Sequence, residues 1–176
     1  MIYIVPRYTV PNFILDTDIP DDMILVEGVF NDEIELLGYS IDKQTIYTGE
    51  SIGVNLFWRG KKYMTNDYNL ALNLYGRDMD HLGKLDTWPG GGHLPTGNWM
   101  PNVIYPDPYI IPVNSMAKIP TLMKLGVSFW IENLDNVLPI SVNNLDKDSL
   151  ILDVGQLTSN KTTNYEVETK DDSIFG

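Results

Sequence analysis

Residues 68–75 read Y-N-L-A-L-N-L-Y. Tyr68, Leu70, Leu72 and Leu74 fall on one side of an extended backbone, and Asn69, Ala71, Asn73 and Tyr75 on the other. Side chains alternate across a pleated strand, so this period of two predicts a strand with one buried face and one wetter face. The stretch ends in Gly76-Arg77-Asp78, which is turn chemistry. The pattern repeats upstream in 51–58, S-I-G-V-N-L-F-W, where Ile52, Val54, Leu56 and Trp58 share a side and Thr48-Gly49-Glu50 supplies the preceding turn. Trp58 continues an apolar face and is predicted to lie in the core.

Working outward, long helical patterns are missing. Short runs rich in Ile, Val, Leu, Tyr, Phe and Trp alternate with Gly, Pro, Asn and Asp along the chain, the mark of an all-β protein. Further strands are predicted at Met23–Phe30, Glu33–Ile41, Asp107–Val113, Lys124–Ile131 and Ser149–Leu157, with weaker patterns at His81–Leu85 and Val137–Val142. Trp130, inside an apolar run, is expected in the core beside Trp58. Two antiparallel sheets, each with one solvated face and packed on one another, make a β-sandwich, immunoglobulin-like or jelly-roll-like. The sandwich is assigned to residues 23–158. Residues 1–22 carry Pro6, Pro11 and Pro20 and read as an extended N-terminal linker, and 159–176 read as a polar C-terminal tail to which Tyr165 and Val167 can add an edge strand.

At 176 residues and 43% hydrophobic composition, the chain suits one domain with a real core. Its formal net charge is −12, which argues against nucleic acid or an anionic membrane as partner, since both require clustered Lys and Arg. The absence of cysteine excludes disulfides, thiolate chemistry and zinc–cysteine sites. Residues 1–15 lack a basic leader and are broken by two prolines, so they do not read as a secretory signal, and no run approaches the length of a membrane span. The chain is therefore expected to be cytosolic or a piece of a longer protein.

The most distinctive stretch is 86–101, D-T-W-P-G-G-G-H-L-P-T-G-N-W-M-P. A phosphate cradle requires a helix just beyond the glycines, and the prolines here forbid one. His81 and His93 are the two histidines, and no Gly-x-Ser-x-Gly elbow accompanies them. Asp16, Asp18, Asp21 and Asp22, and the group Asn143, Asn144, Asp146 and Asp148, have oxygen chemistry that calcium accepts. Neither matches an EF-hand loop, and both read as solvated turns, so no cofactor is expected. Two readings remain for the loop. It is a crossover fixed by its glycines, prolines and Trp99, or it is a sugar platform in which Trp88 and Trp99 stack while Asp86, His93 and Asn98 bond hydroxyls.

Several segments resemble a known family in their order. These are F-N-D-E-I-E-L-L-G-Y-S-I (30–41), T-G-E-S-I-G-V-N-L-F-W (48–58), D-Y-N-L-A-L-N-L-Y (67–75), D-T-W-P-G-G-G-H-L-P-T-G-N-W (86–99), D-P-Y-I-I-P-V (107–113), L-G-V-S-F-W (125–130) and L-P-I (138–140). Together they resemble the C-terminal extracytoplasmic β-sandwich domain of bacterial and archaeal membrane glycosyltransferases of the dolichyl-phosphate-mannose mannosyltransferase and aminoarabinose transferase type. Asn102 departs from that pattern, where the family has Gly, as does the pair Phe129-Trp130, where it has leucine and tyrosine. The family's catalytic residues lie in its membrane half, so none transfers to this chain. The resemblance implies a non-catalytic extracytoplasmic accessory module that binds glycan or a partner protein, or that sits against the membrane portion of a glycosyltransferase. The alternatives are a free-standing carbohydrate-binding module using the loop aromatics, and a glycoside hydrolase-like enzyme with a carboxylate pair of no fixed sequence spacing.

Overall fold

A computed structural model describes residues 13–15, 18–131, 136–138, 140–142 and 145–159. The assigned tail beyond Ser159, most of the assigned linker, and Asp16, Asn143 and Asn144 lie outside the described residues. The described strands are, in chain order, β1 (Ile24–Phe30), β2 (Ile34–Ile41), β3 (Thr45–Tyr47), β4 (Ser51–Gly60), β5 (Asn69–Tyr75) and β6 (His81–Thr87). They continue with β7 (Ile104–Pro112), β8 (Thr121–Ile131), β9 (Asn136–Val137), β10 (Ile140–Val142), β11 (Leu145–Lys147) and β12 (Leu150–Thr158). Short 3-10 turns at Arg77–Met79, Pro89–Gly92 and Thr96–Asn98 lie between the strands.

The strands form two sheets, ordered β11-β10-β1-β2-β4-β7 and β3-β12-β8-β5-β6, with β9 attached to β8. Every pairing is antiparallel except that of β12 with β3, which is parallel. Gly155 makes this pairing possible: at φ 98° it lies so close to β3 that a Cβ there would stand 2.3 Å from the carbonyl oxygen of Gln44. The expected two-sheet sandwich is the fold, with this one parallel edge.

The predicted alternation builds the core. Ile52, Val54, Leu56 and Trp58 of β4 face Leu70, Leu72 and Leu74 of β5 and Met123, Leu125, Val127 and Phe129 of β8 across the interior, all buried. Trp58 is fully buried and meets Phe30 and Phe129 edge to face, at ring-centroid distances of 6.0 and 5.1 Å. Trp130 corrects the expectation. Inward-facing Phe129 takes the core position, and Trp130, one residue on, points to the opposite face and is half-buried. The predicted run 137–142 is two short strands in different sheets, β9 and β10, separated by buried Leu138.

The first sheet's outer face is partly covered. Phe57 points away from the interior yet is buried, in a small cluster with Met23 and Ile104 that Ile14 and Ile19 close. Ile14 donates its N–H to the Ile104 carbonyl at 3.0 Å, laying that segment along the edge strand. That edge, β7, carries Pro106, Pro108 and Pro112, opposite Phe57, Asn55 and Ser51 of β4. Proline has no N–H, so the edge lacks the donor row that would template another strand.

Candidate functional site

The Trp88–Trp99 loop carries the chain from β6 in the second sheet to β7 in the first. Gly90, Gly91 and Gly92 take φ values of 65°, 59° and 93°, and a Cβ on Gly90 would stand 2.6 Å from Leu94 Cβ. The glycines are thus explained by a backbone that L side chains rarely adopt. Asp107, in β7, points inward with 1% exposure. Its carboxylate accepts the Gly90 N–H at 3.0 Å, Trp58 Nε1–H at 3.2 Å and the Tyr109 hydroxyl. Burial raises the Asp107 carboxyl to about 6 despite these donors, which act to lower it. Burial, followed by the Asp107 charge, pushes the Tyr109 hydroxyl well up. The anion in this glycine loop is therefore one of the protein's own side chains.

The far half of the loop is tied as firmly. Trp99 is fully buried, stacks on Tyr105 at 5.2 Å and donates Nε1–H to the Leu94 carbonyl at 3.1 Å. Thr96 Oγ1 donates to the Asn66 carbonyl and accepts the Tyr68 N–H, each at 3.0 Å. Gly97 donates its N–H to Asp67 Oδ1 at 2.8 Å. A ring with no exposed surface offers no stacking face, so Trp99 anchors the crossover.

The other residues singled out in the sequence lie elsewhere. His93 and Asn98 are exposed at the ends of the two turns within the loop. Asp86 is exposed on β6 and paired with Lys84 at 2.6 Å. Trp88 is half-buried and extended (φ −92°, ψ 153°), so it continues the alternation of β6 on the same side as Asp86. The structure thus brings Asp86 and Trp88 onto one surface, the outer face of the second sheet, and leaves Trp99 inside.

That face is ordered by its register. Asn69 of β5 stands opposite Trp130 of β8, and Trp88 follows Thr87, the partner of Leu70, so Trp88 flanks Asn69 from the other side. With β5 between them, the two tryptophan backbones are on the order of 10 Å apart, two strand spacings. Asn69 is only 5% exposed, and its Nδ2 has no hydrogen-bond partner. An unpaired buried donor costs about 1–3 kcal/mol. The next cross-strand rows are Asp86–Ala71–Ser128 and Lys84–Asn73–Gly126–Ile151. The row beyond is His81–Tyr75–Lys124–Asp153. Ala71, Ser128 and Gly126 make a low floor between the tryptophans and the Tyr75 ring, which lies so close that a Cβ on Gly126 would stand 2.9 Å from its Cε2.

Chemically, this surface suits recognition better than bond cleavage. Its carboxylates, Asp86 and Asp153, are each paired with a lysine. They stand on β6 and β12, with β5 and β8 between them. Three strand spacings, roughly 14 Å, exceed the separation of a glycosidase pair. Among the described residues, no group of three His, Cys, Asp or Glu is placed to hold a metal ion.

No family model matches the chain, and no curated protein matches it significantly. Solved structures match at low identity. The C-terminal domain of wzt is 12% identical, with 81% of each chain covered and a TM-score of 0.47. Spo0M, a sporulation control protein from Bacillus subtilis, is 11% identical, with 77% of this chain and 51% of that chain covered and a TM-score of 0.39. At such identities and scores a likeness says nothing about function.

Sequence reasoning passed over Asn69 and Trp130 as site residues. Their signal was the alternation itself. Asn69 falls on the wetter side of 68–75, and Trp130 falls opposite the Leu125, Val127, Phe129 face.

Proposed function

We propose that the chain is a non-catalytic β-sandwich accessory module that binds glycan on the outer face of its second sheet. One observation carries the reading: two half-buried tryptophans, Trp88 and Trp130, flank Asn69, whose Nδ2 has no partner. Indole faces stack on the C–H faces of sugar rings, and walls two strand spacings apart leave room for a pyranose. A ligand hydroxyl or carbonyl that works in between the tryptophans gives the Asn69 Nδ2 donor, closed off in the free protein, the acceptor that it lacks, and a few placed polar groups of this kind fix a ligand's orientation. Asp86, Ser128 and Asn73 extend the polar contacts along the floor, and exposed His93 and Asn98 supply hydroxyl partners from the loop. The ordered motifs that resemble the C-terminal domains of membrane glycosyltransferases are the basis for a finer reading, an extracytoplasmic module working beside such an enzyme's membrane portion.

A glycan array followed by tryptophan-fluorescence titration tests the proposal. The expected result is a saturable shift with at least one glycan, lost in Trp88→Ala and in Trp130→Ala while the β-sheet circular dichroism is retained. A panel that yields no saturable shift, or variants that bind like the wild type, would refute it and favour a protein partner.

A further inference from the structure

At one end of the second sheet, the turn after β5 and the start of β8 line two adjoining open pockets of about 210 and 340 Å³. Both are lined by Gly76, Arg77, Asp78 and Thr121. The larger adds Met79, Leu122 and Lys124, and the smaller adds Leu82, Ile119 and Lys118. The apolar residues are unusually open for their type: Leu122 is 72% exposed and Met79 60%.

The charges on these walls are not equivalent. Lys118 is held by Asp80 at 2.9 Å and Lys124 by Asp153 at 3.0 Å. Asp80 and then Asp78 hold the Lys118 ammonium above the usual lysine range, so both acids of the turn act on that lysine. The Arg77 guanidinium has no carboxylate partner among the described residues, in a chain with twice as many acids as bases. Arg77 is also set on a fixed base. Its N–H is donated to Thr121 Oγ1 at 2.9 Å, the Gly76 N–H to the Asp80 carbonyl at 2.8 Å, and the Asp80 N–H to the Arg77 carbonyl at 3.1 Å. Asp78 and Met79 both take positive φ, 58° and 61°. For methionine that conformation is uncommon and costs free energy, and such strain tends to persist where a site requires it.

We propose that this corner binds an organic carboxylate with an apolar chain, the carboxylate on the Arg77 guanidinium and the chain against Met79 and Leu122. A largely apolar pocket whose lining includes exposed Arg77, a residue with no carboxylate partner among the described residues, fits such an anion by charge and by chain, since arginine meets a carboxylate with two parallel charge-assisted bonds. The site lies at the far end of the same outer face, past the row that contains Lys124, and its binding test does not depend on the glycan reading.

Octanoate, octanol and octylammonium, titrated into the full chain at pH 7.5 and low salt, provide the test. Binding is followed by the backbone amide resonances of Arg77 and Thr121. Octanoate is expected to saturate both, with octanol at least about tenfold weaker and octylammonium weaker still. Arg77→Gln should weaken octanoate by about tenfold or more, the loss of a charge-assisted bond. Arg77→Lys keeps the charge but loses the fork, so its affinity should fall between wild type and Arg77→Gln, and because Thr121 holds only the main-chain N–H of residue 77, both variants should fold. Octanol binding as well as octanoate, unchanged octanoate affinity in Arg77→Gln, or no saturable octanoate response at these amides would each overturn the proposal.

Discussion

Two buried polar side chains, one in the interior and one under the outer face, are treated in opposite ways. Asp107 lies between the sheets and collects donors from Gly90, Trp58 and Tyr109. Asn69 lies under the outer face of the second sheet and leaves Nδ2 without a partner. The first is a finished network whose donors all belong to the fold. The second retains an unmet donor between two partly open tryptophans. A satisfied polar group in a core stabilises one arrangement, whereas one left unsatisfied calls for an explanation, and the proposed glycan contact supplies one.

The largest expected effect lies on the interior side. Trp58→Ala removes a fully buried ring and a donor to Asp107, and should cost about 3–5 kcal/mol in urea unfolding. A loss under about 1 kcal/mol would break the claim that this network belongs to the core.

Next is pH. The Asp107 carboxyl, raised from 3.8 to about 6 by burial, keeps its proton in the native state where the unfolded chain has lost it. Its contribution is therefore greatest below pH 4, falls as pH rises towards 6, and is flat above; the span is about 3 kcal/mol. Asp107→Asn should remove this fall. Unfolding midpoints of the two proteins measured from pH 4 to 7 should diverge, with the wild type losing ground as pH rises. Parallel curves would mean that the carboxylate stays ionised throughout.

Smaller effects are expected on the outer face. Trp130→Ala removes a half-buried ring and should lower stability by about 1–2 kcal/mol while abolishing the glycan response. Asn69→Ala sharpens the comparison most. Deleting an unpaired donor should leave stability within about 1 kcal/mol of wild type, yet weaken glycan binding several-fold. A large destabilisation would show that Asn69 is as structural as Asp107.

Much of this was legible in the chain. Period-2 patterning located β1, β2, β4, β5, β7, β8 and β12 to within a few residues, because one-sided burial imposes alternation wherever a strand is long enough to display it. Trp58 could be placed in the core on that basis. Trp130 could not be placed by the apolarity of its run alone; its parity relative to Val127 and Phe129 decides its face. The three-residue strands β3 and β11 left no signal, since so short a run cannot show a period and exists only because a partner strand is beside it.

The sequence by itself determined an all-β chain with a strand-derived core, because alternation and turn chemistry are local properties of neighbouring residues. Tertiary structure alone decided that Asp107 turns inward beneath the glycine loop, that Trp99 is an anchor, and that Trp88, Asn69 and Trp130 meet on one face. It also decided that Arg77 has no carboxylate partner among the described residues and lines an open pocket. Each of these depends on which strands become neighbours and on which donors and charges find partners. Those pairings join residues far apart in the chain, as Gly155 does against Gln44, and no local pattern encodes them.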